Sequence, residues 1–265
     1  MKNQILTYLP GDHPWQNQIY WYAVIDSTNT QAKQMAMEGA PQGTVLIADC
    51  QTGGRGRRGR SFQSPAQMGI YMSVILRPNC SPNQLMHLTC AVAVAMCDAI
   101  ETAVGFRPGI KWTNDLVYNG RKLAGILTEL VTTPKGTCAI IGIGINCCQQ
   151  EADFVPEIRS FAGSLSMAAG KEIDRAAVAA AIITALHAMD ETLMTGKSAI
   201  MERYRQDCIT IGKDICLLRS DEVRYGHAEG IEEDGALLVR FPDGHLEAVN
   251  SGEVSVRGMY GYISY

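Results

Sequence analysis

The sequence predicts an α+β protein: a mixed β-sheet flanked by helices over residues 1–209, then a small all-β unit of SH3-like size over residues 210–265. Three observations carry that reading. Apolar, β-branched runs of strand length are interspersed with two long stretches of helical periodicity. After about residue 210 the texture changes to short strands separated by tight turns. The composition, 46% apolar and 19% charged over 265 residues, is that of a chain with a real core.

The elements follow in order. "IYWYAVI" (19–25) is an aromatic and β-branched strand, and it leads into the helix "DSTNTQAKQMAME". There Thr28 and Gln31 have capping-box spacing, and Ala32, Met35 and Ala36 form a short apolar stripe. "TVLIADC" (44–50) and "GIYMSVILRP" (69–78) are strands, the second ended by Pro78. A long helix runs through "PNQLMHLTCAVAVAMCDAIETAV", with Leu85, Leu88, Val92, Ala95, Ala99 and Ala103 on one face. Strand-like "GIKW", "DLVYNGRKLAGILTEL" and "TCAIIGIGINC" follow, and Asn119-Gly120 reads as a hairpin turn. A second long helix fits "DRAAVAAAIITALHAMDETL", with Val178, Ile182, Leu186, Met189 and Leu193 in register and Asp174 as its cap. "SAIMERYRQD" is a third. In the small unit the strands are "DICLLRS", "VRYGHAEGI", "GALLVRF", "HLEAVN" and "VSVRG", with turns at Asp234-Gly235 and Pro242-Asp243-Gly244.

Composition excludes several function classes. A net charge of −4 argues against a general binder of nucleic acid or membrane surfaces. The N-terminal "MKNQILTYLPGDHPWQNQ" lacks a signal-peptide core, and no run approaches the roughly 18 apolar residues of a membrane span. Nine irregularly spaced cysteines form neither a disulfide framework nor a zinc site. The cytoplasm is the expected location.

Against that acidic background, "QTGGRGRRGRSFQSP" (51–65) concentrates Arg55, Arg57, Arg58 and Arg60 among Gly53, Gly54, Gly56 and Gly59. Glycine lets backbone amides approach a ligand closely, and guanidinium forks suit carboxylate and phosphate oxygens. The loop reads as an anion-wrapping segment, with a solvated basic turn and an arginine–glycine grip on nucleic acid as alternatives. The latter needs interleaved aromatics or a wider basic face, and only Phe62 is near. In "KWTNDLVYNGRKLAGILTEL" (111–130), Lys111, Asn114 and Asp115 precede one strand, and Lys122 begins the next beside Ala124 and Gly125. Those small residues leave room for a flat ligand whose anionic end Lys122 reaches. "IIGIGIN" (140–146) places glycines in a strand, where they accommodate a close neighbour. "DSTNTQ" sets Ser27, Thr28 and Asn29 at a strand-to-helix corner, as helix capping or as polar ligand contacts. No GxxxxGK[ST], GxSxG or HExxH motif occurs, and the five histidines fall in no ligand spacing. The site is rich in anion clamps and poor in nucleophiles. That suits a reaction in which the substrates supply the nucleophiles and the protein supplies position and charge.

In the order "DSTN", "Q…GRGRRGR", "KWTNDL", "RKLAGIL", "GIGIN" and "GEVSVR", these segments closely resemble the biotin–protein ligases (biotin–[acetyl-CoA-carboxylase] ligases), over about residues 19–257. The resemblance implies a catalytic domain like that of class II aminoacyl-tRNA synthetases, residues 1–209, with a C-terminal SH3-like barrel, residues 210–265. It implies an ATP-dependent ligase. Biotin's carboxylate attacks the α-phosphate of ATP to give biotinyl-5′-AMP, and a lysine of a biotin carboxyl carrier domain then takes the biotin. Carried over to this chain, Ser27, Thr28 and Asn29 face the biotin head with Gln51 beside them. Arg55, Gly56 and Arg57 close over the carboxylate and phosphate, Lys122 bridges the same groups, and Gly125 makes room for biotin's tail. Arg60, Lys111, Trp112, Asn114, Asp115, Asn146 and Arg257 lie toward ATP. Asp115 contacts Mg²⁺, and Lys122, Arg57 and Asp115 carry the catalysis. Thr113 stands where the family commonly has proline, and Phe62 where tryptophan is frequent. With some 18 residues before the first strand, the expectation is a ligase with no DNA-binding repressor domain, acting on no membrane, and with a homodimer allowed.

Overall fold

The computed structural model describes residues 1–219, 222–250 and 253–256. A helix α1 (Lys2–Tyr8), which the sequence reading did not assign, precedes strand β1 (Ile19–Ile25) and helix α2 (Thr28–Met37). Strands β2 (Thr44–Gln51) and β3 (Gly69–Leu76) bracket the glycine–arginine loop. Helix α3 (Leu88–Val104) leads to β4 (Gly109–Lys111), β5 (Asp115–Tyr118), β6 (Arg121–Thr133) and β7 (Gly136–Asn146). Short helices α4 (Pro156–Arg159) and α5 (Leu165–Ala169) come next, then α6 (Arg175–Thr192) and α7 (Lys197–Asp207). The last strands are β8 (Asp214–Arg219), β9 (Glu222–Ile231), β10 (Leu237–Arg240), β11 (Leu246–Val249) and β12 (Glu253–Val256).

The large sheet has seven strands in the order β1-β2-β3-β7-β6-β5-β4. Only the β1–β2 pair is parallel, so the sheet is mixed, as expected. Its central strands are buried on both faces, and alternate residues serve two cores. Val45, Ile47, Met72, Val74, Ile141 and Ile143 face the layer of α3 and α6, against which α1 and α7 also pack. Leu46, Ile75, Cys138 and Ile140 face α2 through Ala32 and Ala36. The Asn119-Gly120 turn has φ of 47° and 73°, the left-handed pair that a two-residue hairpin requires. The C-terminal strands form a separate antiparallel sheet ordered β11-β10-β9-β8-β12.

Two local expectations change. The helix foreseen from residue 82 begins as a separate 3₁₀ turn, Pro82–Leu85, before α3. The Pro82–Val104 segment as a whole is, by length and composition, apolar enough to cross a membrane, which a count of unbroken apolar residues does not reveal. Its most apolar window is 72% buried within the protein, as a core helix is. At the start of α2 the N-cap is Ser27, not Thr28, and the Ser27 side chain makes no capping bond.

Candidate active site

The cap of α2 is supplied from a neighbouring strand. Gln51, at the end of β2, accepts through Oε1 from the Thr28 backbone N–H at 2.8 Å. Its Nε2 donates to Ser64 Oγ at 3.0 Å, on the far side of the glycine–arginine loop. One carboxamide therefore ties the helix N-terminus to the base of that loop, and Ser27, free of the capping role, lines a cleft of about 450 Å³.

The glycines of β7 explain where the cleft opens. On its α2-facing side the strand reads Cys138, Ile140, Gly142 and Gly144. The bulky pair lies under the helix, and the glycines lie beyond it. A Cβ on Gly142 would fall 2.2 Å from Asn29 Oδ1, and one on Gly144 would fall 2.7 Å from the Phe62 ring. The expected close neighbours of this strand are thus the protein's own Asn29 and Phe62. Asn29 Nδ2 donates to Glu129 Oε2 at 3.0 Å, and its Oδ1 accepts from Ser73 Oγ at 2.5 Å. Ser73 is fully buried on β3, directly opposite Gly142 in the strand register.

The glycine–arginine loop is a compact hairpin. Gly56 N–H donates to Arg60 O at 2.7 Å, and Phe62 N–H donates to Gly54 O at 2.9 Å. Gly54 is obligatory there, since a Cβ would sit 2.3 Å from Phe62 O. Arg58 adopts a left-handed backbone, with φ of 56°. Its guanidinium donates to Leu218 O at 3.0 Å, toward the C-terminal sheet. Arg57 turns the other way and donates to Asn114 Oδ1 at 2.9 Å. Asn114 is itself pinned, because its Nδ2 donates to Ile126 O at 2.8 Å. It lines the cleft as a bracket for Arg57.

Across the β5–β6 hairpin, Lys122 Nζ and Asp115 Oδ1 form an ion pair at 2.6 Å, with side chains 30% and 19% exposed. Gly125 lies beneath it: a Cβ there would be 3.4 Å from Lys122 Nζ. Buried Lys111 sits opposite Asp115 in the β4–β5 register. Trp112 is buried and bridges outward, its Nε1 donating to Gly235 O, in the turn between β9 and β10, at 2.9 Å. The Thr113 turn, which lacks the proline common in the family, is held on both sides. The Trp112 N–H donates to Thr210 Oγ1 at 3.0 Å, and Tyr204 donates to Thr113 O at 3.0 Å.

Nearly all the residues singled out from the sequence line this cleft. Ser27, Thr28, Asn29 and Gln51 form one end. Arg55, Gly56, Arg57 and Arg60 come from the loop, and Lys111, Trp112, Asn114, Asp115, Lys122 and Gly125 form the other wall. Asn146 does not line it. Its Nδ2 donates to Gly163 O at 2.9 Å and its Oδ1 accepts from Gln149 Nε2 at 3.3 Å, so this buried amide fixes the end of β7. Arg257 lies outside the described residues. The sequence reading missed Phe161, which lines the cleft, and the supporting Ser73, Glu129 and Lys33. A serine in "GIYMSVIL" and a glutamate in "GILTEL" interrupt apolar strands, and that was the available signal. Phe161 lies in a segment with no such mark.

The electrostatics are lopsided. Among the described residues, Arg55, Arg57, Arg58, Arg60, Lys111 and Lys122 line the cleft against one carboxylate, that of Asp115. Such a surface concentrates anions. Among the described residues no cluster of three metal-ligating side chains occurs. A lone carboxylate is enough for an ion that takes most of its oxygens from substrate phosphates and water. Behind the wall, burial pushes the Glu129 carboxyl up, but hydrogen bonds from Lys33 and Asn29 and the charges of Lys33 and Arg55 outweigh it and hold it below its ordinary range.

Residues 21–146 match the "Biotin/lipoate A/B protein ligase family". Residues 210–257 match the "Biotin protein ligase C terminal domain". The chain is 38% identical over 252 residues to the bifunctional ligase/repressor BirA of Bacillus subtilis (strain 168), spanning 94% of this chain and 76% of that relative. To the biotin–[acetyl-CoA-carboxylase] ligase of Paracoccus denitrificans it is 31% identical over 238 residues, spanning 88% of this chain and 98% of that one. A solved structure of biotin protein ligase from Aquifex aeolicus in complex with biotin and ATP superposes with a TM-score of 0.76 at 29% identity, covering 91% of this chain and 98% of that one.

Proposed function

The chain belongs to the biotin protein ligases, and from that premise we propose how its cleft activates biotin as biotinyl-5′-AMP and passes the biotin to a lysine of a carrier domain. The observation that carries the reading is the joining of two unlike surfaces in one cavity. A polar floor of Ser27, Thr28 and Gln51 suits a ureido head, which loses its water partners on burial. A cationic wall of Arg55, Arg57, Lys111 and Lys122 suits a carboxylate meeting a triphosphate.

In the first step a biotin carboxylate oxygen forms a bond to the α-phosphorus, and the bond to the β-phosphate oxygen breaks, its electron pair leaving with pyrophosphate. Both reactants are anions, so the barrier includes their mutual repulsion. Lys122 and Arg57 offset it and stabilise the charge gathered on the α-phosphate, which is the largest contribution a site without its own nucleophile can make. Asp115 orients the Lys122 ammonium through the 2.6 Å pair. It is also the residue that would hold Mg²⁺ together with phosphate oxygens. Bound there, the ion would neutralise phosphate charge. In the second step the carrier lysine amine attacks the acyl carbon and AMP leaves.

The carrier domain presents its lysine at the mouth of the glycine–arginine loop. Residues 1–209 form the substrate-binding unit and 210–265 the appended one. Nine free thiols suit a reducing cytoplasm. The test is ATP–pyrophosphate exchange over a panel of acids. Exchange that requires biotin is the expected result. Exchange supported by lipoate or octanoate but not by biotin moves the chain to the lipoate branch of the family.

A further inference from the structure

Behind the biotin-head floor, hydrogen bonds link half-buried Lys33 and Glu129 to the buried Asn29, Ser73 and Thr28. Lys33 of α2 pairs with Glu129 Oε1 at 2.7 Å. Glu129 Oε2 accepts from Asn29 Nδ2 at 3.0 Å, and Leu127 O lies 3.4 Å from the same nitrogen. Asn29 Oδ1 lies 2.5 Å from Ser73 Oγ, and the Thr28 hydroxyl lies 2.8 Å from that same oxygen. Thr28, Asn29 and Ser73 are all buried.

The direction of these bonds is not free. A carboxylate only accepts, so the amide nitrogen of Asn29 must face Glu129 and its oxygen must face Ser73. Ser73 has one proton and two acceptors in reach. The shorter contact, to an oxygen that can only accept, takes it. The Thr28 hydroxyl then donates to Ser73 Oγ across the 2.8 Å contact and keeps both of its lone pairs for donors in the cleft. With Asn29 reversed, Ser73 would donate to Thr28 instead, taking one of its two lone pairs and turning its proton onto Gln51 Oε1, 3.1 Å away. We propose that Glu129 is a positioning residue for biotin: its carboxylate fixes the orientation of Asn29 and so keeps Thr28 an acceptor for a ureido N–H. Asn29, whose amide is used on both sides, acts in the same way and not as a ligand contact.

The inference rests on the ligase reading, and one experiment separates the two. Biotin-dependent exchange is measured against biotin and ATP separately, from pH 4 to 8, for the wild type, Glu129→Gln and Lys33→Met. Glu129→Gln can donate as well as accept, so Asn29 is no longer fixed. It raises the KM for biotin by about tenfold and leaves that for ATP within about twofold. The groups facing Glu129 are Lys33 from α2, Asn29, and Arg55 from the loop. Its depressed ionisation means that the arrangement is intact above the ordinary carboxylate range and is lost as pH falls through the lowered value. Wild-type kcat/KM for biotin therefore drops at that acid limb. Lys33→Met shifts Glu129's share of the limb upward, and Glu129→Gln removes that share, leaving the part that protonation of the biotin carboxylate itself produces. A bystander role would move thermal stability but none of these. Should Glu129→Gln not fold, the limb in Lys33→Met decides. Wild-type exchange with an unmoved biotin KM and limb in the folded variants overturns the positioning role alone. A wild type without biotin-dependent exchange overturns the ligase reading and this role with it.

Discussion

Lys122 is both a cation for the phosphate and the counter-charge of Asp115, and that double duty fixes what its removal does. In Lys122→Ala the phosphate loses a positive neighbour and gains an uncompensated carboxylate 2.6 Å from where the ammonium stood. The expected result is a fall of roughly 100-fold or more in biotin-dependent exchange, read as kcat at saturating biotin and ATP. A normal rate removes Lys122 from the chemistry. Arg57 is different, because Asn114 is seated by Ile126 whether or not Arg57 is present. Arg57→Gly is expected to keep the hairpin and to allow a slowed first step, since Lys122 still faces the α-phosphate, while releasing biotinyl-5′-AMP about tenfold faster, the value of one charge-assisted bond. Direct measurement of adenylate dissociation checks it, and an unchanged rate argues against the role. The departures at 62 and 113 also resolve at this scale. Phe62 lies edge-on to Tyr71, ring centroids 6.4 Å apart, above Gly144, and Thr113 is held by Tyr204.

Strands and their registers set the next scale. On β7 the alternation Cys138, Ile140, Gly142, Gly144 turns one face from helix-covered core into open floor without any change of backbone path. Gly142→Ala tests this element. Its methyl would occupy the place of Asn29 Oδ1, 2.2 Å away. The variant is expected to lose about 1–3 kcal/mol of stability, as overpacked cores do, and to bind biotin more weakly because Asn29 must leave Ser73. Calorimetric unfolding with a biotin titration checks both, and wild-type values in each would show that the floor has slack. The glycine–arginine loop is an element in the same sense. Its hairpin bonds, not its charges, decide that the Arg58 guanidinium reaches Leu218 O while that of Arg57 reaches Asn114. Four arginines at equal sequence standing acquire unequal roles through one left-handed residue.

Two buried histidines join layers of the whole molecule. His13 Nδ1 accepts from the Trp15 N–H at 3.2 Å, and its ring packs on His187 of α6. His87 Nε2 bonds Leu193 O at 3.1 Å, just beyond α6. Burial lowers both ionisations. The charge of His187 adds to this at His13, where Asp12 opposes it; Lys197 adds to it at His87, where the Leu193 bond and Glu233 oppose it. A group held neutral in this way binds fewer protons folded than unfolded, so stability rises with pH. It is full above the ordinary histidine range and falls as pH drops through the lowered values. Tm is expected to decline from pH 7.5 to 5, and the double variant His13→Gln, His87→Gln to flatten that decline. An equal slope in both proteins would count against it. Between the two sheets, the Trp112–Gly235 bond fixes the C-terminal unit beside the cleft wall.

The sequence by itself determined the strands and long helices and the cationic loop, while its resemblance to a family completed the set of residues around the cleft. The elements and the loop depend on periodicity, turn chemistry and charge that a short segment carries whatever surrounds it. Tertiary structure alone decided that Asn146 turns inward to Gly163, that Gln51 caps a helix begun 23 residues earlier, and that Ser73 and Glu129 meet Asn29. A hydrogen bond belongs to two groups at once. When they lie on strands and helices far apart in the chain, only the register between those elements can bring donor and acceptor together.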